Sequence, residues 1–144
     1  QKFFAERQAS FDPAQIPDGN GFRRVEYLVM DMVNLLEMYP EHMRFIVEFN
    51  NLYAREGSPA RVRQTYASGA ELFVPIIRQG IADGSIRADL APDFLAAAIF
   101  NLVSGMSSRF ALLGSQVGEE FGTPAMDLYR EICRIFLRGI QAAQ

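Results

Sequence analysis

LFVPIIRQGIADGSIRADLAPDFLAAAIFNLVSGMSSRFALL, Leu72 to Leu113, decides the fold. Its first part is an amphipathic helical pattern that runs into the turn formers Asp83-Gly84-Ser85. A short polar link, Ile86-Arg87-Ala88-Asp89, leads to Pro92, a residue suited to the first turn of a helix because its missing N–H has no partner there anyway. The helix that follows is apolar almost all round and carries a stripe of small residues. It begins near Asp89, the better capping side chain, or at Ala91, which would place Pro92 at the first position. It ends near Leu113 or Gly114.

Upstream, Ser58-Pro59 is a start signal, with the hydroxyl as cap and Pro at the first position. One helix is expected from there to about Asp83, kinked at Pro75, which removes a backbone hydrogen bond. Pro40 starts an earlier helix that runs to about Glu56, and Gly57 suits a left-handed cap. Before it, Val25, Leu28, Val29, Met32, Val33, Leu35 and Leu36 recur three or four apart, predicting a helix from Phe22 to about Tyr39 with one buried face. Ser10 to Gly21 holds Pro13, Pro17 and Asp18-Gly19-Asn20-Gly21 and reads as a loop. Lys2 to about Ala9 reads as a short helix or the tail of a longer one. Downstream, Gln116 to Gly122 is a loop, and Thr123-Pro124 starts a last helix running to about Ala142. No repeat and no alternating strand pattern competes. The expected fold is all-α, a bundle of roughly six helices in one domain.

Composition narrows the function. The chain has 144 residues, 49% of them hydrophobic, and a net charge of −3, which suits one globular domain and excludes a disordered one. Lys2 is the only lysine and the arginines are scattered, so the chain lacks the basic cluster that phosphate binding requires. Cys133 is the only cysteine; it cannot form an intrachain disulfide and reads as a small core residue in a reducing, cytoplasmic setting. No apolar run is expected to reach the roughly 18 residues of a membrane span, the longest being interrupted at Asn101. The N-terminus has no signal-peptide core and no initiator Met, so the chain reads as a piece of something longer.

The two C-terminal helices carry more apolar surface than one core can take. In the penultimate helix, Leu95, Ile99, Leu102, Met106 and Phe110 form a bulky stripe expected to face the core. Ala97, Asn101, Ser104, Ser108 and Ala111 form a small-residue stripe that lets another backbone approach closely. In the last helix, Met126, Tyr129, Cys133, Leu137 and Ile140 lie on one side and Leu128, Ile132, Ile135, Phe136 and Gly139 on another. A helix apolar on two faces must be covered on both, either by a central place in a monomer or by a second copy across a two-fold axis.

Catalytic signals are missing. No Walker loop, G-x-S-x-G elbow or H-E-x-x-H is present, and one histidine, His42, and one cysteine give no metal-ligand spacing. No cofactor, metal site or enzymatic activity is expected. Arg44 with Glu48, and the set Asp127, Arg130, Glu131 and Arg134, read as ordinary surface pairs on helices.

The phrase Gly80, Gly84, Ile86, Arg87, Asp89, Pro92 resembles the junction before the dimer-forming helices in the C-terminal domain of TetR-family transcriptional regulators. PEHMRFIVEFNNLYARE (Pro40 to Glu56) and YREICRIFLRGI (Tyr129 to Ile140) are similar to other helices of that domain. The resemblance covers nearly the whole chain, yet the family's N-terminal helix-turn-helix is absent: nothing before Phe22 is long enough. It implies a homodimer through the two C-terminal helices, with Ala97, Asn101, Ser104, Ser108, Ala111, Leu128, Ile132, Ile135, Phe136 and Gly139 at the interface. It also implies a small hydrophobic effector in each subunit, DNA contacted only through the missing N-terminal unit, and effector binding that releases DNA. Aromatic, methionine and amide side chains suit such a pocket. The candidates are Tyr27, Met30, Asn34, Phe49, Asn50, Tyr53, Tyr66, Phe73 and Met106, each of which also reads as plain core or surface. The competing readings are a helical homodimeric interaction module without a small-molecule ligand and, last, a small all-α enzyme.

Overall fold

Proline and glycine positions set the helix ends. The computed structural model describes residues 16–57 and 59–143, and the side chains of these except 53, 59, 61, 62, 65, 66 and 68. The proposed helix at Lys2 to Ala9, the Ser58 cap and the side chains of Tyr53 and Tyr66 therefore lie outside the described residues. The first helix, α1 (Gly21–Met38), opens where the Asn20 side chain accepts a hydrogen bond from the Arg23 amide at 2.9 Å, closing one of the free donors of the first turn. It closes at Tyr39, whose backbone (φ −134°, ψ 56°) is non-helical, as expected for a residue preceding proline. Pro40 then starts α2 (Pro40–Arg55), and Gly57 follows its end at φ +76°.

The expected single helix from Pro59 to Asp83 is two helices, α3 (Pro59–Glu71) and α4 (Val74–Ala82). Pro75 is the cause. Inside a continuous helix its ring would strike the carbonyl of Glu71 and leave that carbonyl without a donor. The chain instead breaks at Leu72 and Phe73 and restarts, with Pro75 in the first turn of α4, where proline is tolerated. After Gly84 (φ +78°) and the polar link, α5 (Pro92–Leu113) starts with Ala91 at the cap and Pro92 in its first turn, and ends at Gly114 (φ +57°). Two short 3-10 turns, Gly114–Gln116 and Glu119–Phe121, lead to α6 (Ala125–Ile140). That helix starts later than Thr123-Pro124 suggests: Pro124 is its cap, and the Thr123 hydroxyl turns back to the Phe121 carbonyl.

The fold is all-α, with no strand among the described residues. The central helix is α5, which packs on all five of the others. Leu95, Ala96, Ile99, Val103 and Phe110 point into the core, where they meet Val25, Leu28, Val29 and Val33 of α1 and Ile76 and Ile77 of α4. The Phe100 ring lies so close to α3 that a Cβ on Gly69 would sit 2.1 Å from it. Together with the turn after it, α5 has the length and apolar composition to cross a membrane, which corrects the expectation that no segment does. In this bundle its apolar core face is taken up by the other helices. By contrast, α6 lies at the edge and packs on α1 and α5, with Tyr129, Cys133, Leu137 and Ile140 buried.

A polar lock joins α5 to α6 inside the core. The Tyr129 hydroxyl donates to the Val103 carbonyl at 2.6 Å and lies 3.0 Å from the Ser107 hydroxyl. Its ring stacks on Phe110 at 5.0 Å between centroids. Burial pushes the ionisation of Tyr129 up, and pushes the Cys133 thiol up to about 11. Cys133 is thus the inert core residue expected, because only the thiolate is a good nucleophile.

Candidate functional site

Two features stand out: a junction of three helix ends, and an uncovered apolar face on α5 and α6.

The junction is the Asp83–Asp89 turn, and each member of the Gly80-to-Pro92 phrase has a physical task in it. At Gly80, α4 meets the start of α1: a Cβ on Gly21 would lie 2.1 Å from the Gly80 nitrogen, so only glycine allows this backbone contact. Gly84 supplies the left-handed turn residue. The Asp83 carboxylate accepts from the Gly21 amide at 2.8 Å, and the Ser85 hydroxyl accepts from the Phe22 amide at 3.0 Å. Two free donors of the first turn of α1 are thereby closed by a segment some sixty residues away in sequence. Ile86, 1% exposed, fills the space beside Gly80.

The same turn closes the end of α6. Ala142 donates to the Ser85 carbonyl at 3.0 Å, and the Arg87 amide donates to the Ile140 carbonyl at 3.0 Å. The Arg87 guanidinium donates to the Gly139 carbonyl at 3.1 Å, a cation placed where the helix dipole is negative. Asp89 holds it there through two hydrogen bonds, one of 2.6 Å to Nε. Asp89 therefore orients Arg87 and does not cap α5, which settles the sequence alternative in favour of Ala91. At its other end α6 is tied to α1 by Arg130, which pairs with Glu37 and donates to Asn34.

The Ser85 hydroxyl, then the Gly21 amide, holds the Asp83 carboxyl below its ordinary value of 3.8. A carboxylate with a depressed pKa in the fold stabilises it fully above the unfolded value, and that stabilisation is lost as pH falls through the folded value. Asp83→Asn is therefore expected to lower the urea midpoint at neutral pH and to flatten its decline in the acid range below 3.8. Parallel acid titrations of both proteins check this.

The uncovered face lies on the opposite sides of α5 and α6 from the core. On α6, Ile135 is 61% exposed, Leu128, Ile132 and Phe136 are half-buried, and Gly139 is exposed. On α5 the structure rotates the expected stripes. The core stripe turns toward Val103, Ser107 and Ala111, all buried, while Leu102 and Met106 move to its edge, half-buried. Ala111 is thus corrected from interface to core, where its carbonyl accepts from Arg44 of α2. Three neighbours cover this side of α5: Tyr129 of α6 meets Val103 and Ser107, Phe100 lies against Gly69 of α3, and Arg44 of α2 reaches the Ala111 carbonyl. The exposed stripe runs through Phe94, Ala97, Asn101, Gly105 and Leu112, with Ser104 and Ser108 half-buried beside it. Its polar side chains are satisfied by the helix itself: Asn101 donates to the Ala97 carbonyl at 2.8 Å, Ser104 to Phe100 at 2.7 Å and Ser108 to Ser104 at 2.9 Å. A Cβ on Gly105 or Gly139 would meet nothing within 4 Å.

The proposed pocket residues divide. Phe73 is fully sealed in the core and offers no surface to a guest in this conformation. Asn34 is exposed and faces Arg130, not an interior. Tyr27 is 39% exposed. Met30 and Met106 pack half-buried against the core, Phe49 is half-buried and stacks on Phe45 at 5.9 Å, and Asn50 is half-buried. His42 is an exposed residue set edge-on to the Tyr39 ring. Arg44 pairs with Glu41 at 3.9 Å instead of the expected Glu48, while Arg130–Asp127 and Arg134–Glu131 pair along α6 as anticipated. Among the described residues, no group of three or more His, Cys, Asp or Glu is placed to hold a metal ion.

No family model matches the chain, and comparison with curated proteins and with solved structures gives no match.

Proposed function

We propose that this chain is the ligand-sensing and dimerisation domain of a TetR-like transcriptional regulator, paired with a second copy through α5 and α6. A small apolar effector binds each subunit and weakens the grip on DNA, which an N-terminal unit outside this chain would contact. DNA in turn weakens effector binding by the same factor, as linkage requires. The observation that carries the reading is the uncovered face. Ile135, Leu112 and Phe94 are each more than half exposed, and burying a side chain of this size is worth roughly 1.5–3 kcal/mol. The polar groups between them are already hydrogen-bonded within their helix, so covering them leaves no donor or acceptor stranded. The half-buried methionines and aromatics at the edge of the core, Met30, Met106 and Phe49, supply the adaptable apolar surface an effector needs.

Sedimentation velocity tests the pairing. The chain is expected to run as a dimer at micromolar concentration, and Ile135→Glu as a monomer. Gly105→Ala gives opposite signs in the two cases. In an isolated subunit it replaces a helix-interior glycine and adds about 0.5–1 kcal/mol of stability. In a close helix pair it weakens association. A stable single subunit at micromolar concentration overturns the proposal. The sensing half is tested by thermal melts with a panel of drug-sized apolar compounds: a ligand at about one hundred times its Kd adds roughly 2.7 kcal/mol. A panel that leaves the melting temperature unmoved favours a homodimeric interaction module without an effector.

A further inference from the structure

We infer that the Asp83–Asp89 turn welds the start of α1 to the end of α6, so that the chain entering at Gly21 moves as one body with the pairing face. The inference rests on the proposed α5–α6 pairing. Its physical basis is that three helix ends share one seven-residue connection. The start of α1 is held by Asp83 and Ser85 and by the backbone contact between Gly21 and Gly80. The end of α4 is held through its Gly80 carbonyl, which accepts from the Ser85 and Ile86 amides at 2.9 Å. The end of α6 is held by backbone bonds on either side of Ile86 and by the Arg87 guanidinium. Glycines remove the slack: no side chain separates α1 from α4 at their crossing. Ile86 plugs the centre, so the bonds around it are shielded on one side from water. The far ends of α1 and α6 are tied as well, through Arg130 and Glu37. Two helices fastened at both ends cannot swing relative to each other without breaking one of these sets. The turn is thus the element whose loosening frees the chain entry while leaving the pairing face intact.

Spin labels separate this coupling from the pairing itself. Asp18, exposed and just before α1, becomes the labelling site as Asp18→Cys. Cys133 is sealed in the core and stays unlabelled. In the dimer, double electron–electron resonance is expected to give one narrow distance between the two labels. A control pair at Arg134→Cys, exposed in the middle of α6 and away from the junction, reports the pairing helices alone. Asp83→Ala with Arg87→Ala is expected to abolish the narrow peak at position 18 and to leave the peak at position 134 unchanged. Asp83→Ala alone, which removes the acceptor for the Gly21 amide and keeps Arg87 on α6, serves the same purpose if the double variant fails to fold. A position-18 peak as narrow in the junction variants as in the parent overturns the inference, as does a broad one in the parent beside a narrow one at 134. Absence of dipolar coupling from both positions removes the pairing and the inference together.

Discussion

Gly21→Ala is expected to lose at least about 3 kcal/mol of folding stability, the upper end of the range for overpacking. The added methyl carbon would lie 2.1 Å from the Gly80 nitrogen and 2.3 Å from its Cα. Both are backbone atoms, so no side-chain rotation relieves the clash. The start of α1 would have to lift, and lifting it breaks the hydrogen bonds from Gly21 to Asp83 and from Phe22 to Ser85. Losing 3 kcal/mol is a large part of the roughly 5–15 kcal/mol a domain of this kind has. Urea denaturation followed by far-ultraviolet circular dichroism measures it. Gly84→Ala is the comparison, since a Cβ there meets nothing within 4 Å and only the positive φ is strained. Equal midpoints for Gly21→Ala and the parent would mean that the α1–α4 crossing is not as tight as described.

Tyr129→Ala is expected to lose about 3–5 kcal/mol, as large aromatic truncations in a core do. Tyr129 is among the largest fully buried side chains of the described residues, and it touches α5 in three ways: the ring on Phe110, the hydroxyl on the Val103 carbonyl and the contact with Ser107. Tyr129→Phe separates packing from polarity. It keeps the stack but leaves the Ser107 hydroxyl without its tyrosine partner, and is expected to lose about 1–2 kcal/mol. Because α6 packs on α1, α5 and the short turn at Gly114–Gln116, the alanine variant should also loosen α6 from the bundle, raising hydrogen exchange in its amides above that of α1. Matching losses for the phenylalanine and alanine variants would place the whole effect in the hydroxyl and contradict the packing account.

Much of the fold was legible because proline and glycine act locally. Pro40, Gly57, Pro92 and Gly114 mark boundaries where the chain turns, and the three-to-four spacing of Val25 to Leu36 anticipates the buried face of α1. Pro75 reads as a kink and is a break, since the sequence does not say whether tertiary packing straightens or splits a helix at such a residue. Phe73, at the break, is sealed in the core. The rotation of α5 was not legible either. A helix apolar on every side carries little periodic signal, so its core face is set by the neighbours around it. Ser107 is the clearest example: a polar residue on the core side, found only through Tyr129 twenty-two positions away. The junction was half legible. Gly80, Gly84, Ile86, Arg87, Asp89 and Pro92 stand out as a phrase in the sequence, but the tasks of Asp83, Ser85, Arg87 and Asp89 depend on helix ends distant in sequence.

The Asn101, Ser104 and Ser108 side chains, folded back on their own helix, carry a consequence for how the molecule is made. The core around Ile99, Tyr129 and Leu137 is closed within one copy, and the polar side chains on the outer side of α5 need no hydrogen-bond partner from a neighbour. A newly synthesised subunit can therefore fill its core before it meets a second copy. Under the proposed pairing, assembly would then be a later, concentration-driven event, open to control by how much of the protein a cell produces.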